Sequence, residues 1–364
     1  MIKNNNILIC PLEWGLGHAT RIIPIINLLL SQKQNIIIAA DNQPLELLRS
    51  EFPQLKWIKF PSYKIEYSRS SMILQMLILL PKIIFGVIKE HKRLKKIIKE
   101  HNINIVISDN RFGCWNKKIY SVYITHQVMV KMPGYLKFLE YPCYLIHKFI
   151  IKKYNKCWIP DFENDNNLSG YLSHKFKIPA NAEFIWPLSR FFNENQKTEK
   201  TKIPVNYDIC AIISGPEPQR TLFEKIVTEK LLKSEKKSII IRGKPKDTII
   251  KRNKNVEIIG HAGTKKMEEI ISQSNLIICR SGYSSIMDLV ALKRNAILIS
   301  TPGQTEQEYL AKYLKQKGLF FYLKQEKINF NIIPDEIYSK TQNFPELSYD
   351  RLKNEIKVFF MVQA

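Results

Sequence analysis

Between Asn275 and Tyr313 the chain runs through strand, loop, helix, strand, loop and helix in that order, and few folds accommodate such a run. Leu276 to Cys279 is a short apolar segment of buried-strand type, Arg280-Ser281-Gly282 is a tight polar turn, and Ser284 opens a helix bearing Ile286, Leu289, Val290 and Leu292. Ala296 to Ser300 is a second strand. Thr301-Pro302-Gly303 breaks the chain, and Glu306 to Lys317 has helical composition before Gly318 ends it. This is a βαβ unit with both loops on the carboxyl edge of a sheet, the edge at which open α/β sheets bind ligands. The turn leaves backbone N–H groups at a helix N-terminus, a seat for an anionic group beside Arg280, Ser281, Gly282 and Ser284. Asp288 is placed either to hold a ribose diol through both carboxylate oxygens or to close a capping box with Ser285. Gln304, Gln307 and Glu308 lie where sugar hydroxyls would be read.

The chain has 364 residues, 45% of them hydrophobic, which is enough for two domains with their own cores and too apolar for disorder. A first α/β domain is expected over residues 1–190, a polar linker over 191–206, a second α/β domain over 207–345 and a terminal helix within 346–364. The formal net charge of +23 suits nucleic acid, an anionic membrane face or phosphorylated ligands, and by itself does not choose among them. Six cysteines show neither CxxC nor zinc spacing and read as reduced core residues, so no metal site is expected. The N-terminal residues enter a strand without a signal-peptide apolar region, and no apolar run is long enough to span a bilayer. A cytoplasmic protein is expected.

Ile7 to Pro11 is the first strand, and Leu12 to His18 is a glycine loop leading into a helix through Arg21 and Ile25. Gly15-x-Gly17 with Asp41 after the next strand superficially matches a dinucleotide fingerprint, but Thr20 stands at the third glycine position. His18 suits a general base at neutral pH, since its ordinary pKa is about 6.5; the other reading is a histidine that only binds phosphate or caps the loop. Glu13 and Asp109 are substitutes for the base. Strands Asn104 to Ser108 and Ser121 to Thr125 end in loops carrying Asp109, Arg111, His126 and Gln127. With Glu13 and Trp14, these are the candidate acceptor contacts. The apolar run Ser71 to Ile88 is broken by Gln75, Pro81, Lys82 and Gly86 and is followed by a basic helix, Lys89 to Lys99; Tyr135 to Lys156 is a second basic amphipathic segment. Both read as buried or solvated helices, or as a surface that touches anionic lipid.

Cys279-Arg280-Ser281-Gly282, the acidic residue six positions after that glycine, and Gln307-Glu308-Tyr309 resemble the donor site of glycosyltransferase family 28, whose best-known branch is the lipid-intermediate N-acetylglucosaminyltransferases. Gly-x-Gly-His-x-x-Arg, from Gly15 to Arg21, resembles the first glycine loop of the same enzymes. The resemblance implies an α/β GT-B fold, two Rossmann-like domains facing across a cleft. It implies a UDP-sugar as co-substrate with no other cofactor, and a hydroxyl acceptor, lipid-linked or part of a cell-envelope glycan. It assigns ribose binding to Asp288, donor-sugar contacts to Gln307 and Glu308, a cleft-facing donor contact to Gly17, a phosphate-facing loop to Ser214 and Gly215, and backbone contact with the base to Gly263 and Thr264. Asp288 stands where the family usually has Glu, Glu308 replaces the second Gln of a pair, and the family's Gly-Gly-Ser is missing at Ser214-Gly215.

The preferred expectation is an inverting, metal-independent transferase with the cation's role taken by the helix beginning near Ser284 and by Arg280. A GT-B-shaped UDP-sugar epimerase is the alternative enzyme, with Glu13, Asp109 and Glu308 available for proton transfer. A non-enzymatic basic protein that binds membrane or nucleic acid is the other, although no nucleic-acid motif is present.

Overall fold

The computed structural model describes residues 5–62, 72–192, 204–330, 337 and 343–362. Strands β1 (Asn6–Pro11), β2 (Asn35–Ala40), β3 (Lys56–Lys59), β4 (Ile105–Asp109), β5 (Tyr120–Ile124), β6 (Lys156–Pro160) and β7 (Ala182–Ile185) form one parallel sheet in the order β3-β2-β1-β4-β5-β6-β7. Its central strands are near-continuous runs of Ile, Leu, Val and Cys because helices cover both faces and leave no solvent side. Those helices are α1 (Gly17–Ser31), α2 (Asn42–Glu51), α3 (Met72–Glu100), α4 (Glu140–Ile151) and the short α5 (Tyr171–His174).

A second sheet repeats the plan. β8 (Tyr207–Ile212), β9 (Ser238–Ile241), β10 (Ile250–Asn253), β11 (Val256–Ile259), β12 (Ser274–Arg280), β13 (Ala296–Ile299) and β14 (Phe321–Leu323) are ordered β10-β11-β9-β8-β12-β13-β14. Only the edge pair β10 and β11 is antiparallel. Its helices are α6 (Gln219–Leu232), α7 (Thr264–Ser272), α8 (Tyr283–Ala291) and α9 (Thr305–Gln316). In each sheet the strand order reverses once among the parallel strands, between β1 and β4 and between β8 and β12, and the loops after these strands frame the crevice where a doubly wound sheet takes its ligand. The terminal helix α10 (Tyr349–Val362) lies on the first domain, with the Arg351 guanidinium 5.1 Å from the ring centroid of Trp186. One apolar core runs from Ile7 and Ile9 through Ile286 and Leu289 to Leu352 and Ile356, so the domains share packed surface.

The edge strands β3 and β10 are short and largely exposed and their sequences lack the apolar signal that marks the central strands, while β14, Phe-Tyr-Leu, is half-buried and only three residues long. Most of the expected linker, residues 193–203, lies outside the described residues, as does Ser71. The segment read as a broken apolar run followed by a basic helix is one helix, α3, with Pro81 inside it. Glu90, Leu94 and Ile97 recur at helical spacing on its buried face, while Phe85, Ile88, Lys89 and Lys92 face outward. All six cysteines are free, and all but the half-buried Cys143 are buried.

Arg111, expected at the acceptor, instead fastens α3 to the sheet. It is fully buried, its Nε donates to Glu90 Oε1 at 2.7 Å, and its two terminal nitrogens donate to the carbonyls of Phe60 and Pro61 at 3.0 and 3.1 Å. Its plane lies 4.0 Å from the Phe60 ring centroid. Burial works against the cation, but Glu90 and neighbouring groups outweigh it and raise the pKa. Glu90 spends its second oxygen on the Gly113 N–H at 2.8 Å. Removing one side of such a pair strands a buried charge, so Glu90→Leu should cost about 3–5 kcal/mol by denaturant unfolding. Glu90→Leu with Arg111→Met should recover most of that loss.

Candidate active site

The crevice of the first domain is built from the ends of three neighbouring strands. Leaving β1, the chain turns through Gly15, whose φ of +66° favours glycine, and places His18 in the first turn of α1. β4 ends in Asp109, opposite Pro11 of β1, and β5 leads to His126. Arg21, one turn after His18, ties the three together. Its Nε donates to Asp109 Oδ2 at 2.7 Å and its Nη2 donates to Asp109 Oδ1, while Nη1 lies 2.9 Å from His126 Nδ1 and Nη2 2.9 Å from His18 Nδ1. His18 Nδ1 also lies 3.2 Å from Asp109 Oδ1. Asp109 is fully buried, which alone would raise its pKa, yet Arg21 and His18 together hold it down at about 2.

An arginine only donates, so His126 Nδ1 accepts from Arg21 and the proton sits on Nε2, which faces Glu306 Oε1 at 2.9 Å. Burial lowers the pKa of His126 and keeps it neutral. Glu306 opens α9 in the second domain, so this contact crosses the cleft. The Gln127 side chain reaches the same carboxylate. The His126 ring also stacks on Tyr283, the first residue of α8, at 4.3 Å with planes 1° apart. The acceptor residues expected at His126 and Gln127 are therefore engaged with the opposite domain. Glu13 is held by the Asn42 side chain, and Trp14 is half-buried in the same loop. Asp41, the acid of the superficial dinucleotide match, caps α2 by accepting from Asn42 N at 3.0 Å.

In the second domain the N-terminus of α8 meets the first glycine loop head-on. Ser284 Oγ donates to the Gly17 carbonyl at 2.8 Å, and a Cβ on Gly17 would stand 3.1 Å from Ser284 Oγ, a tight contact that the serine would have to ease. Gly282, Gly215 and Gly303, one in each loop of this carboxyl edge, all have open space where a Cβ would point. Ser214 is half-buried beside Gly215. The N–H of Thr264, first residue of α7, donates to Glu51 Oε1 of the first domain at 2.8 Å, and Gly263 caps that helix.

Asp288 forms no capping box. Its carboxylate accepts from Ser189 Oγ at 2.7 Å and from Arg190 Nε at 3.1 Å, and burial raises its pKa despite Arg190. Arg280, expected on the diphosphate, turns into the domain. It donates to the carbonyl of Ser300 at 3.0 Å and to Gln325 Oε1 at 2.7 Å, and its plane lies 3.9 Å from the Phe223 ring centroid. Without a carboxylate beside it, burial lowers its pKa to about 9. Gln307 is also turned inward, its Oε1 accepting from Thr301 N at 2.9 Å, and Ser281 Oγ donates to the Gln307 carbonyl at 2.8 Å. Glu308 accepts from Gly303 N at 3.1 Å, and Gln304 is half-buried at the start of α9. Sequence reasoning missed Arg21, Tyr283 and Glu306 as site residues. The only signal for Arg21 was its place in Gly-x-Gly-His-x-x-Arg; nothing local marks the other two.

Residues 209–358 match the family described as the glycosyltransferase family 28 C-terminal domain. Among solved structures, the whole chain is similar to the calicheamicin glycosyltransferase CalG4, with a TM-score of 0.62 and 10% identity over 100% of both chains. It is similar to MurG of Acinetobacter baumannii, with a TM-score of 0.51 and 11% identity over 99% of this chain and 95% of that one. It is also similar to the glycosyltransferase SsfS6 of Streptomyces sp. SF2575 complexed with thymidine diphosphate, with a TM-score of 0.54 and 12% identity over 99% of this chain and 96% of that one. The fold is GT-B. No curated protein sequence matches the chain.

The charge balance at Asp109 sets a pH dependence. Its folded pKa lies below the ordinary 3.8, so the stabilisation is complete above about 4 and is lost as pH falls through about 2. Asp109→Asn should therefore lose about 2 kcal/mol at neutral pH. The gap to wild type should narrow as urea unfolding is repeated from pH about 4 downward.

Proposed function

This chain belongs to glycosyltransferase family 28 through its carboxyl-terminal domain and takes its sugar from a nucleotide donor, and from that premise we propose that it inverts the anomeric carbon of a UDP-sugar as it transfers the sugar to a hydroxyl acceptor without a metal ion. The observation that carries this reading is the pairing of His18, in the first turn of α1, with Asp109 at the end of β4, next to the Gly17 carbonyl that meets the N-terminus of α8. His18 Nδ1 stands 2.9 Å from Arg21 Nη2 and 3.2 Å from Asp109 Oδ1, and in the tautomer whose Nδ1 proton engages Asp109 the Nε2 is free to remove the acceptor's proton. The acceptor oxygen attacks the anomeric carbon from the face opposite the leaving group, and the bond to the nucleoside diphosphate breaks with its electron pair going to the phosphate oxygen. The first-turn N–H groups of α8 have no partner within the helix and take up that charge, the role a divalent cation plays elsewhere. Arg280 is engaged inside its own domain, so the helix end carries this task. Asp288 is the ribose ligand in this reading, and a bound nucleotide replaces Ser189 and Arg190 on its carboxylate.

A UDP-sugar carrying N-acetylglucosamine is the first donor to try, and a nucleotide-sugar panel read by thermal shift tests the choice. His18→Ala should lower kcat by ~10²- to 10⁴-fold with UDP affinity little changed. A donor-binding histidine would instead lose UDP affinity and keep its turnover at saturation.

The acceptor is proposed to be membrane-borne. No helix among the described residues is long and apolar enough to cross a membrane. Phe85 on α3 and Phe138 beside α4 are each 71% exposed, and Ile84, Ile88, Ile146 and Phe149 are exposed near them. Lys89, Lys92, Lys137, Lys152 and Lys153 are exposed on the same segments, and Lys153 Nζ stands 4.8 Å from the Phe149 ring centroid. Apolar side chains rimmed by lysine suit the interface of an anionic bilayer. Flotation should recover the protein with anionic but not neutral vesicles. Lys92→Glu, Lys95→Glu and Lys96→Glu together should release it, at about 1 kcal/mol per basic residue.

A further inference from the structure

One unbroken line of polar contacts runs from the second domain to His18. Glu306 Oε1 is 2.9 Å from His126 Nε2, His126 Nδ1 is 2.9 Å from Arg21 Nη1, and Arg21 Nε is 2.7 Å from Asp109 Oδ2. His18 Nδ1 then lies between a donor, Arg21 Nη2 at 2.9 Å, and an acceptor, Asp109 Oδ1 at 3.2 Å. The single proton of a neutral ring decides which of these it engages. On Nδ1 it points at Asp109 and leaves Nε2 able to take a proton. On Nε2 it leaves Nδ1 to accept from Arg21 and closes that route. The way Arg21 shares its N–H groups therefore sets the state of His18.

We propose that Glu306 is a positioning residue for His18, acting across the cleft through His126 and Arg21. The proposal rests on the reading of His18 as the base. Glu306 accepts from Nε2–H of His126 and so keeps Nδ1 unprotonated, the only form that accepts from Arg21. Without that carboxylate the buried Nε2–H loses its partner. The alternative tautomer puts a proton on Nδ1 that opposes the Arg21 N–H, pushes the guanidinium off His126 and changes what it presents to Asp109 and His18. Tyr283, from the same domain as Glu306, fixes the plane of the His126 ring by stacking. Because Glu306 and Tyr283 belong to the second domain, the choice His18 makes between Arg21 and Asp109 depends on the contact between the two domains.

The ring nitrogens report this directly. In the full chain with isotope-labelled histidine, NMR should show His126 protonated on Nε2. Glu306→Leu should shift the nitrogen signals of both His126 and His18, whereas Glu306→Gln, whose amide oxygen still accepts, should leave both as in wild type. Glu306→Ala replaces the leucine variant if thermal unfolding shows the latter misfolded. With a UDP-sugar that is turned over, the leucine variant should lose at least ~10-fold in kcat while UDP affinity by calorimetry stays unchanged. Unmoved His18 signals in a folded Glu306→Leu protein overturn the proposal, and so does equal loss in the leucine and glutamine variants. If His18→Ala abolishes turnover while Glu306→Leu keeps it, the relay alone is wrong. If His18→Ala turns over like wild type, the base reading fails and takes the relay with it.

Discussion

The buried guanidinium of Arg21 is the interaction on which the site depends. A cation removed from water is tolerated only with its hydrogen-bonding capacity filled, and Arg21 fills it with Asp109, His126 and His18. Those partners come from the carboxyl ends of β4, β5 and, through α1, β1, which the strand order places side by side. The parallel sheet therefore does the assembly. Each loop needs only to put one side chain over the sheet edge, and the arginine holds the three in fixed relation. Asp109 stays ionised in a fully buried position because the same cation sits on it.

The second domain contributes through contacts that it shares with the first. Three parts of the expected donor site meet first-domain groups in this form: Asp288 meets Ser189 and Arg190, the start of α7 meets Glu51, and the start of α8 meets the Gly17 carbonyl. Each of those first-domain groups offers the kind of atom that a nucleotide offers, either a donor for a carboxylate or an oxygen for an N–H or O–H. A donor bound as proposed would exchange contacts of like chemistry rather than fill unsatisfied positions. Around this centre, α3 and α4 send their apolar residues in two directions. One face of each packs on the sheet, and the other is left in solvent together with lysines.

Periodicity was enough to read the two α/β domains, the order of the central strands along the chain and the loops that face the crevice. Buried parallel strands must be apolar throughout, and amphipathic helices must repeat every three to four residues. His18 and Asp109 were legible as crevice residues for the same reason, since Asp109 is the last residue of β4 and His18 follows β1 across a short glycine loop. The edge strands β3, β10 and β14 were not, because the exposed β3 and β10 have no obligation to be apolar and β14 is only three residues long.

What the sequence determined by itself was which residues stand at the carboxyl edges, because local spacing decides where strands stop. The direction in which long side chains leave those edges was decided only by the tertiary structure. Arg111 points to Glu90 on α3, Arg280 to Ser300 and Gln325, and Asp288 to Ser189 and Arg190 of the other domain. His126 and Glu306 are 180 positions apart in the chain and 2.9 Å apart in space. A flexible charged side chain settles wherever burial leaves a partner within reach, and that partner is supplied by packing between distant segments, which no local pattern records.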